Sequence, residues 1–134
     1  MADPDLELQG EIVKKLKADP AVAALVGTRI YDSVPGGAVF PYISYGPSDL
    51  VTDDADCIKA FSGFHQLDAW SRAAGYPECK KIAEAVRRAL HDAPLALPSN
   101  ALVFLEHRST RYVRDPDGLT SHAVIQLETV IEYP

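Results

Sequence analysis

The sequence predicts an α+β fold, in which an antiparallel β-sheet has helices packed on one face and ends in a long C-terminal β-hairpin. Three observations lead to this prediction: two helix-start signals near the N-terminus, one strongly amphipathic segment in the second half, and two alternating segments joined by a turn motif at the end. Strands and helices in this order are typical of a sheet whose helices gather on one side.

Two Asp-Pro pairs each predict the start of a helix. Asp3 and Asp19 can accept hydrogen bonds from unpaired backbone N–H groups, and the proline that follows each suits the first helical position. Gly27 can close the second, short helix because glycine adopts a positive φ without steric cost. The first helix is amphipathic, with an apolar stripe formed by Leu8, Ile12, Val13 and Leu16.

Strand signals follow in the next third of the chain. Residues 29–31 predict a brief strand, and the aromatic and β-branched segment PYISYG predicts a second strand over residues 41–46. Residues 47–60 lack periodicity and are predicted to form a long, acidic, exposed loop. The bulky residues of FHQLDAWSR, at 64–72, again suit a sheet.

The second half of the chain gives the clearest signals. Pro77 opens a helix whose apolar residues recur at the spacing of a single buried face. The prolines of residues 92–100 prevent its continuation, and 101–105 restart as a strand. The sequence RDPDG, at 114–118, predicts a hairpin turn. The last strand alternates, and its predicted buried face consists of Ala123, Ile125, Leu127, Thr129, Ile131 and Tyr133.

Composition limits the classes of function. The chain has 134 residues, which predicts a single domain spanning 1–134. We expect no membrane segment, since no apolar run approaches the roughly 18 residues that a spanning helix needs. The formal net charge of −6 argues against binding of nucleic acid, which needs clustered cations. Cys57 and Cys79 form no metal-ligand spacing and are expected to be free thiols.

No residue pattern predicts catalysis, a cofactor or a metal site. The four histidines are scattered, and none stands in a ligand motif such as HExxH. His65 and Asp68 are three residues apart on a predicted strand, so they should point to opposite faces and not act as a pair. No GxSxG elbow or phosphate-binding glycine pattern is present. We therefore expect that the protein is not an enzyme.

Two charged groups are candidates for partner contacts. The predicted loop that carries the aspartates could become ordered on docking, although a solvated loop is the stronger interpretation of the aspartate cluster. The arginines near the hairpin turn could pair with carboxylates of a partner, or simply form a solvated rim. These candidate residues are Asp49, Asp53, Asp54, Asp56, Arg108, Arg111 and Arg114.

Several segments together resemble the phage tail completion or tail terminator family, over residues 6–133. They are ADPAVAALVGTRIYDSVP, FPYISYG, FHQLDAWSRAAGYPECKKIAEAVRRAL and RDPDGLTSHAVIQLETVIEY. The resemblance implies a structural subunit that forms a ring, usually a hexamer, on the head-proximal end of a tail tube. Such a ring terminates the tube and joins tail to head.

The resemblance also implies the partners. They are sister copies, the tail tube protein and a head-side connector or stopper protein, while DNA passes through the channel without specific binding. The protein would be made in a host cytoplasm and reside in the virion or phage-like particle, because related copies occur in phages, prophages and gene transfer agents. The family offers no catalytic residues to carry over.

Two other interpretations remain open at the level of sequence. Another neck or head-tail connector protein, or a minor tail subunit, would share the small size and the α+β pattern. A small ligand-binding domain or enzyme could build its site from residues distant in sequence. A deep pocket that gathers histidines and carboxylates would favour the latter.

Overall fold

A computed structural model describes residues 3–134 as three helices and one six-stranded sheet. The helices are α1 (Pro4–Ala18), α2 (Pro20–Val26) and α3 (Pro77–Leu90). The strands are β1 (Ile30–Tyr31), β2 (Tyr42–Ser48), β3 (Val51–Thr52), β4 (Ala60–Ser71), β5 (Ala101–Arg114) and β6 (Ser121–Glu132). The predicted α+β class is confirmed.

The sheet has the strand order β1-β2-β4-β6-β5, and β3 lies beside β4. All pairings are antiparallel except that of β1 with β2, so the expectation of a purely antiparallel sheet needs this one correction. The pair is parallel because residues 32–41 lead the chain back before β2 begins, so that β1 and β2 run in the same direction. β5 and β6 form the predicted C-terminal hairpin.

The helices cover one face of the sheet and enclose the hydrophobic core there. Along β6, the alternate residues Ala123, Ile125, Leu127 and Ile131 are buried against this layer, as predicted. Leu8, Ile12 and Leu16 of α1 and the apolar face of α3 complete it. Apolar residues that recur every two positions along the strand and about every 3.6 positions along the helices therefore meet in the same core.

Both predicted Asp-Pro helix starts are confirmed. The Asp3 carboxylate accepts a hydrogen bond from the Leu6 amide at 3.0 Å, and Asp19 accepts two at 3.0 Å from the amides of Ala21 and Val22. Gly27 ends α2 with φ +60°. Each cap satisfies N–H groups that a helix leaves unpaired.

The expectation of an irregular loop over residues 47–60 is wrong in part. β2 runs on through Ser48, and Val51–Thr52 pair with Phe61 and Ser62 at the start of β4. Beyond them, Ala55 and Ile58 exchange two backbone hydrogen bonds in a tight turn. The segment is exposed, as expected, but it is ordered by pairing with β4, a long-range contact that local sequence does not reveal. We call residues 49–59 the acidic arm.

Adding one methyl group at the base of the acidic arm should destabilise the fold. A Cβ atom built on Gly63 would lie 2.2 Å from the Asp49 carbonyl oxygen. Gly63→Ala should therefore lower the free energy of unfolding by about 1–3 kcal/mol through overpacking. Gly10, in the exposed middle of α1, has open space around it, so Gly10→Ala should raise stability by about 0.5–1 kcal/mol. Urea denaturation of both variants checks this, and a harmless Gly63→Ala would contradict it.

Candidate interaction surfaces

Two of the four predicted arm aspartates hold the acidic arm in place. Asp49 Oδ1 accepts the Phe64 amide at 2.9 Å. Asp54 Oδ1 accepts the Ala60 amide at 3.0 Å and the Tyr133 hydroxyl at 3.1 Å. These carboxylates therefore fix the base and the side of the arm, and they are less available to a partner than the sequence suggested.

The other two aspartates, Asp53 and Asp56, are exposed and their carboxylates bond to nothing within residues 3–134. The arm also exposes apolar surface, since Val51 is 55% and Ile58 is 47% accessible. Cys57 is exposed beside them, at φ +64° in the turn. The arm thus presents free negative charge together with apolar side chains, a combination that suits protein recognition.

The structure separates the three predicted arginines. Arg108 bonds to Glu128 and lies 3.1 Å from Glu106, and the hydrogen bond to Glu128 raises the pKa of its guanidinium. Arg114 stacks 4.7 Å over the Tyr76 ring on the helix side of the sheet. Arg111 lies on the other face and is exposed. Of the three, Arg111 alone has no ion pair or ring contact with another described residue, and the three do not form one cluster.

β5 is a sheet edge, and the middle of that edge is already covered. The Asp92 amide donates to the Leu105 carbonyl at 2.8 Å, and the His107 amide donates to His91 Nδ1 at 3.0 Å. A bulge after His107 shifts the alternation. Beyond it, the backbone N–H and C=O groups of Thr110, Tyr112 and Arg114 point away from β6. This outer half of the edge is open to another chain.

A shallow groove of about 600 Å³ lies between α2 and α3. Its floor is apolar and made of small residues and Leu25, while cations and one carboxylate rim it. The lining residues are Ala21, Ala24, Leu25, Lys80, Lys81, Glu84, Ala85 and Arg88. Hydrogen bonds from Arg87 and Arg88 lower the pKa of Glu84 to about 2. The negative charge of this one carboxylate is therefore matched by arginines of α3 itself.

The groove continues onto the end of β5. The Lys80 ammonium lies 5.1 Å from the centre of the Tyr112 ring and 5.9 Å from that of Tyr76, the ring on which Arg114 stacks. Cation–π contacts of this kind keep the charges near the surface while their stems pack. We call the groove together with Arg114 the basic surface.

The face of the sheet away from the helices carries a polar and aromatic network. Trp70 stacks on His122 with ring centres 3.8 Å apart, and His122 Nε2 lies 2.6 Å from Asp68. Gln66 donates to the same carboxylate at 2.9 Å. No local sequence pattern predicts this group, because its members come from different strands. The Trp70 indole N–H also donates to the Ser44 hydroxyl at 2.9 Å, so the network links β2, β4 and β6.

His65 lies on the opposite, helix-covered face from Asp68, which confirms that the two cannot act as a pair. It is fully buried, and its Nε2 lies 2.7 Å from the Asp5 carboxylate while its Nδ1 contacts the Tyr45 hydroxyl. Ser48 donates to the other Asp5 oxygen at 2.8 Å. This group links the first turn of α1 to β2 and β4, and no local sequence pattern predicts it.

Residues 3–134 contain neither a cluster of metal-ligating side chains nor a helix suited to a membrane. No three His, Cys, Asp or Glu side chains of that range converge where they could bind a metal ion. None of the helices in it has the length and apolar character to span a bilayer. Cys79 is buried, which raises the pKa of its thiol to about 11, so this thiol is held in the neutral form.

Comparisons with known proteins agree with one another. A family model described as "Tail completion protein gp17" matches residues 10–132. Among solved structures, a chain of the "Virion of native gene transfer agent (GTA) particle" matches with a TM-score of 0.90 and 28% sequence identity. That match covers 98% of this chain and 99% of the other. No curated protein matches significantly.

The Asp5 group predicts a pH-dependent contribution to stability. Burial disfavours the Asp5 anion, but hydrogen bonds from His65 and Ser48 outweigh this effect and lower its pKa below 3.8. The ionised form therefore stabilises the fold above the unfolded-state pKa, and this contribution disappears as the pH falls through the folded-state pKa.

Asp5→Asn should accordingly lower the free energy of unfolding by about 1 kcal/mol at neutral pH, a value reduced for partial exposure. The difference from the parent chain should shrink as the pH is lowered below 3.8. Urea denaturation at neutral pH and at a series of pH values below 3.8 measures it. Asp32→Asn, an exposed change, is the control. A deficit that stays constant with pH would contradict the assignment.

Proposed function

Since the chain belongs to the tail completion protein gp17 family, we propose that it forms a ring on the head-proximal end of a phage-type tail tube, where it terminates the tube and joins tail to head. As a member of that family, it is a structural protein of a phage-type tail. The ring, its subunit number and its position are the proposal. A hexamer is the expected form.

The observation that carries the proposal is the near-complete structural match to a chain of a gene transfer agent particle. Two chains that share 28% of their residues and superpose with a TM-score of 0.90 over almost their full lengths share one backbone fold. A component that works by assembly depends on its surfaces, and not on a reactive cleft. The open edge and the exposed arm are surfaces of this kind.

A ring places a geometric demand on the subunit. It needs a heterologous contact, in which one patch of a copy meets a different patch of the next. The outer half of β5, with Thr110, Tyr112 and Arg114, supports this role because a neighbour's backbone can pair with it. Closure of the ring would then satisfy every such edge.

Net charge supports passage of DNA without binding. The chain carries −6 overall, and two of the three arginines near the hairpin are engaged with Glu128 or with Tyr76. A wall with few free cations releases few counterions and so holds phosphates weakly. The proposal is that DNA slides through the channel and is not retained there.

Deleting the gene from the phage or gene transfer agent that encodes it tests the function. We expect particles whose tails are unjoined and vary in length, next to DNA-filled heads without tails, in negative-stain electron micrographs. Adding the purified protein to tubes from the deletion strain should place a ring on one end only. Tails of normal length that remain unjoined would assign the protein to another neck position, and normal particles would overturn the proposal.

Charge reversal at the edge gives a second prediction. Arg111→Glu with Arg114→Glu should weaken ring assembly by about tenfold or more, because the edge would then repel carboxylates that approach it. Sedimentation velocity measures the ring fraction. Lys15→Glu with Lys17→Glu changes the net charge equally at exposed positions of α1, which is not part of the edge, and should leave assembly unchanged. If both variants assemble equally well, the two arginines are not part of the interface.

A further inference from the structure

The acidic arm and the basic surface have complementary properties. The arm carries four aspartates and one lysine, and the carboxylates of Asp53 and Asp56 have no partner within residues 3–134. The basic surface has three cations and one matched carboxylate around its groove. Each surface is also partly apolar, through Val51 and Ile58 on the arm and the alanine floor of the groove. Opposite charge around apolar contact is the pattern of a specific interface.

The two surfaces of one molecule cannot meet at the Lys80 end of the groove. The arm leaves the sheet at the first residue of β4, Ala60. Lys80 lies over Tyr112, which is in register with Ala123 and, through it, with Ala69. Nine residues of strand separate Ala60 from Ala69, which is about 30 Å. The arm of another copy is therefore the matching occupant.

We propose that the acidic arm of each subunit docks into the α2–α3 groove of the next copy, with the exposed carboxylates of Asp53 and Asp56 against Lys80 and Lys81 and the apolar tip on the alanine floor. This inference rests on the proposed ring and names its contact. An arm at one end of β4 and a groove towards the other make the contact heterologous, which is the type that propagates around a ring.

The internal bonds of the arm fit this role. Asp49 and Asp54 hold the arm by hydrogen bonds to the backbone of Phe64 and Ala60, so docking does not have to order it from a disordered state. Their use inside the arm leaves Asp53 and Asp56 as the charges that a partner meets. The small residues Ala21 and Ala24 line a groove of about 600 Å³, a volume larger than that of a side chain such as Ile58.

Charge exchange tests the contact. Lys80→Glu with Lys81→Glu, and separately Asp53→Lys with Asp56→Lys, should each reduce ring formation by about tenfold or more, since every arm then meets a groove of its own sign. All four changes in one chain should restore rings. Mixing the two defective proteins should also restore them, because the arm of each then fits the groove of the other. The Lys15→Glu and Lys17→Glu variant again serves as the control.

A crosslink gives a second measurement that does not depend on charge. Cys57 is exposed on the arm, and Cys79 is buried. In an Ala24→Cys variant, oxidation by copper phenanthroline should join two thiols of neighbouring copies into a disulfide and give a ladder of covalent oligomers. Lys15→Cys, on α1, should not. A ladder that is lost in Cys57→Ser identifies the arm as the partner.

The outcomes separate this contact from the ring itself. Rings that form normally in both charge-reversed variants, with no ladder from Ala24→Cys, would overturn the arm–groove contact and leave the proposed function standing. Charge-reversed subunits that still form rings but no longer bind tail tubes would assign the groove to the tube protein, and so would also overturn it. Failure of the parent chain to form rings with tubes would count against the proposed function.

Discussion

The pairing of β4 with β6 is the constraint on which the other features depend. Twelve residues of each strand pair without a bulge, from Ala60 opposite Glu132 to Ser71 opposite Ser121. An uninterrupted ladder fixes the face of every side chain, because a slip of one residue would exchange the faces. Alternate residues thereby enter the helix-covered core, and those between them form the Trp70, His122 and Asp68 network.

This ladder also places the surfaces that the proposals use. Its Ala60 end carries the acidic arm, which pairs with the first residues of β4, and its Ser71 end leads to α3 and to the end of β5. Opposite ends of one rigid ladder hold the two surfaces at a fixed separation. A subunit that must repeat around a closed ring needs such a fixed separation, since errors in angle add up from copy to copy.

Much of the fold could be predicted because its signals are local. Asp3 and Asp19 precede prolines, the apolar residues of α3 recur at helical spacing, and the RDPDG turn lies between two alternating strands. The parallel pairing of β1, the ordered arm and the Asp5–His65 contact depend on residues far apart in sequence. For the same reason, charge alone was enough to name the seven candidate contact residues. It could not predict which of them bond to other parts of the chain and which remain available to a partner.

The exposed edge of β5 shows how the chain limits association before assembly. A long unpaired edge would pair with any strand it met. Here the His91–Asp92 segment covers its middle, two bulges interrupt its alternation, and Arg108, bound to Glu128 and Glu106, stands at the second bulge. The outer half, with Thr110, Tyr112 and Arg114, has no such cover among the described residues, and it lies beside the basic surface. Backbone pairing along this outer half can strengthen the contact made by a docked arm. The segment that pairs is too short to replace the specificity that opposite charge provides.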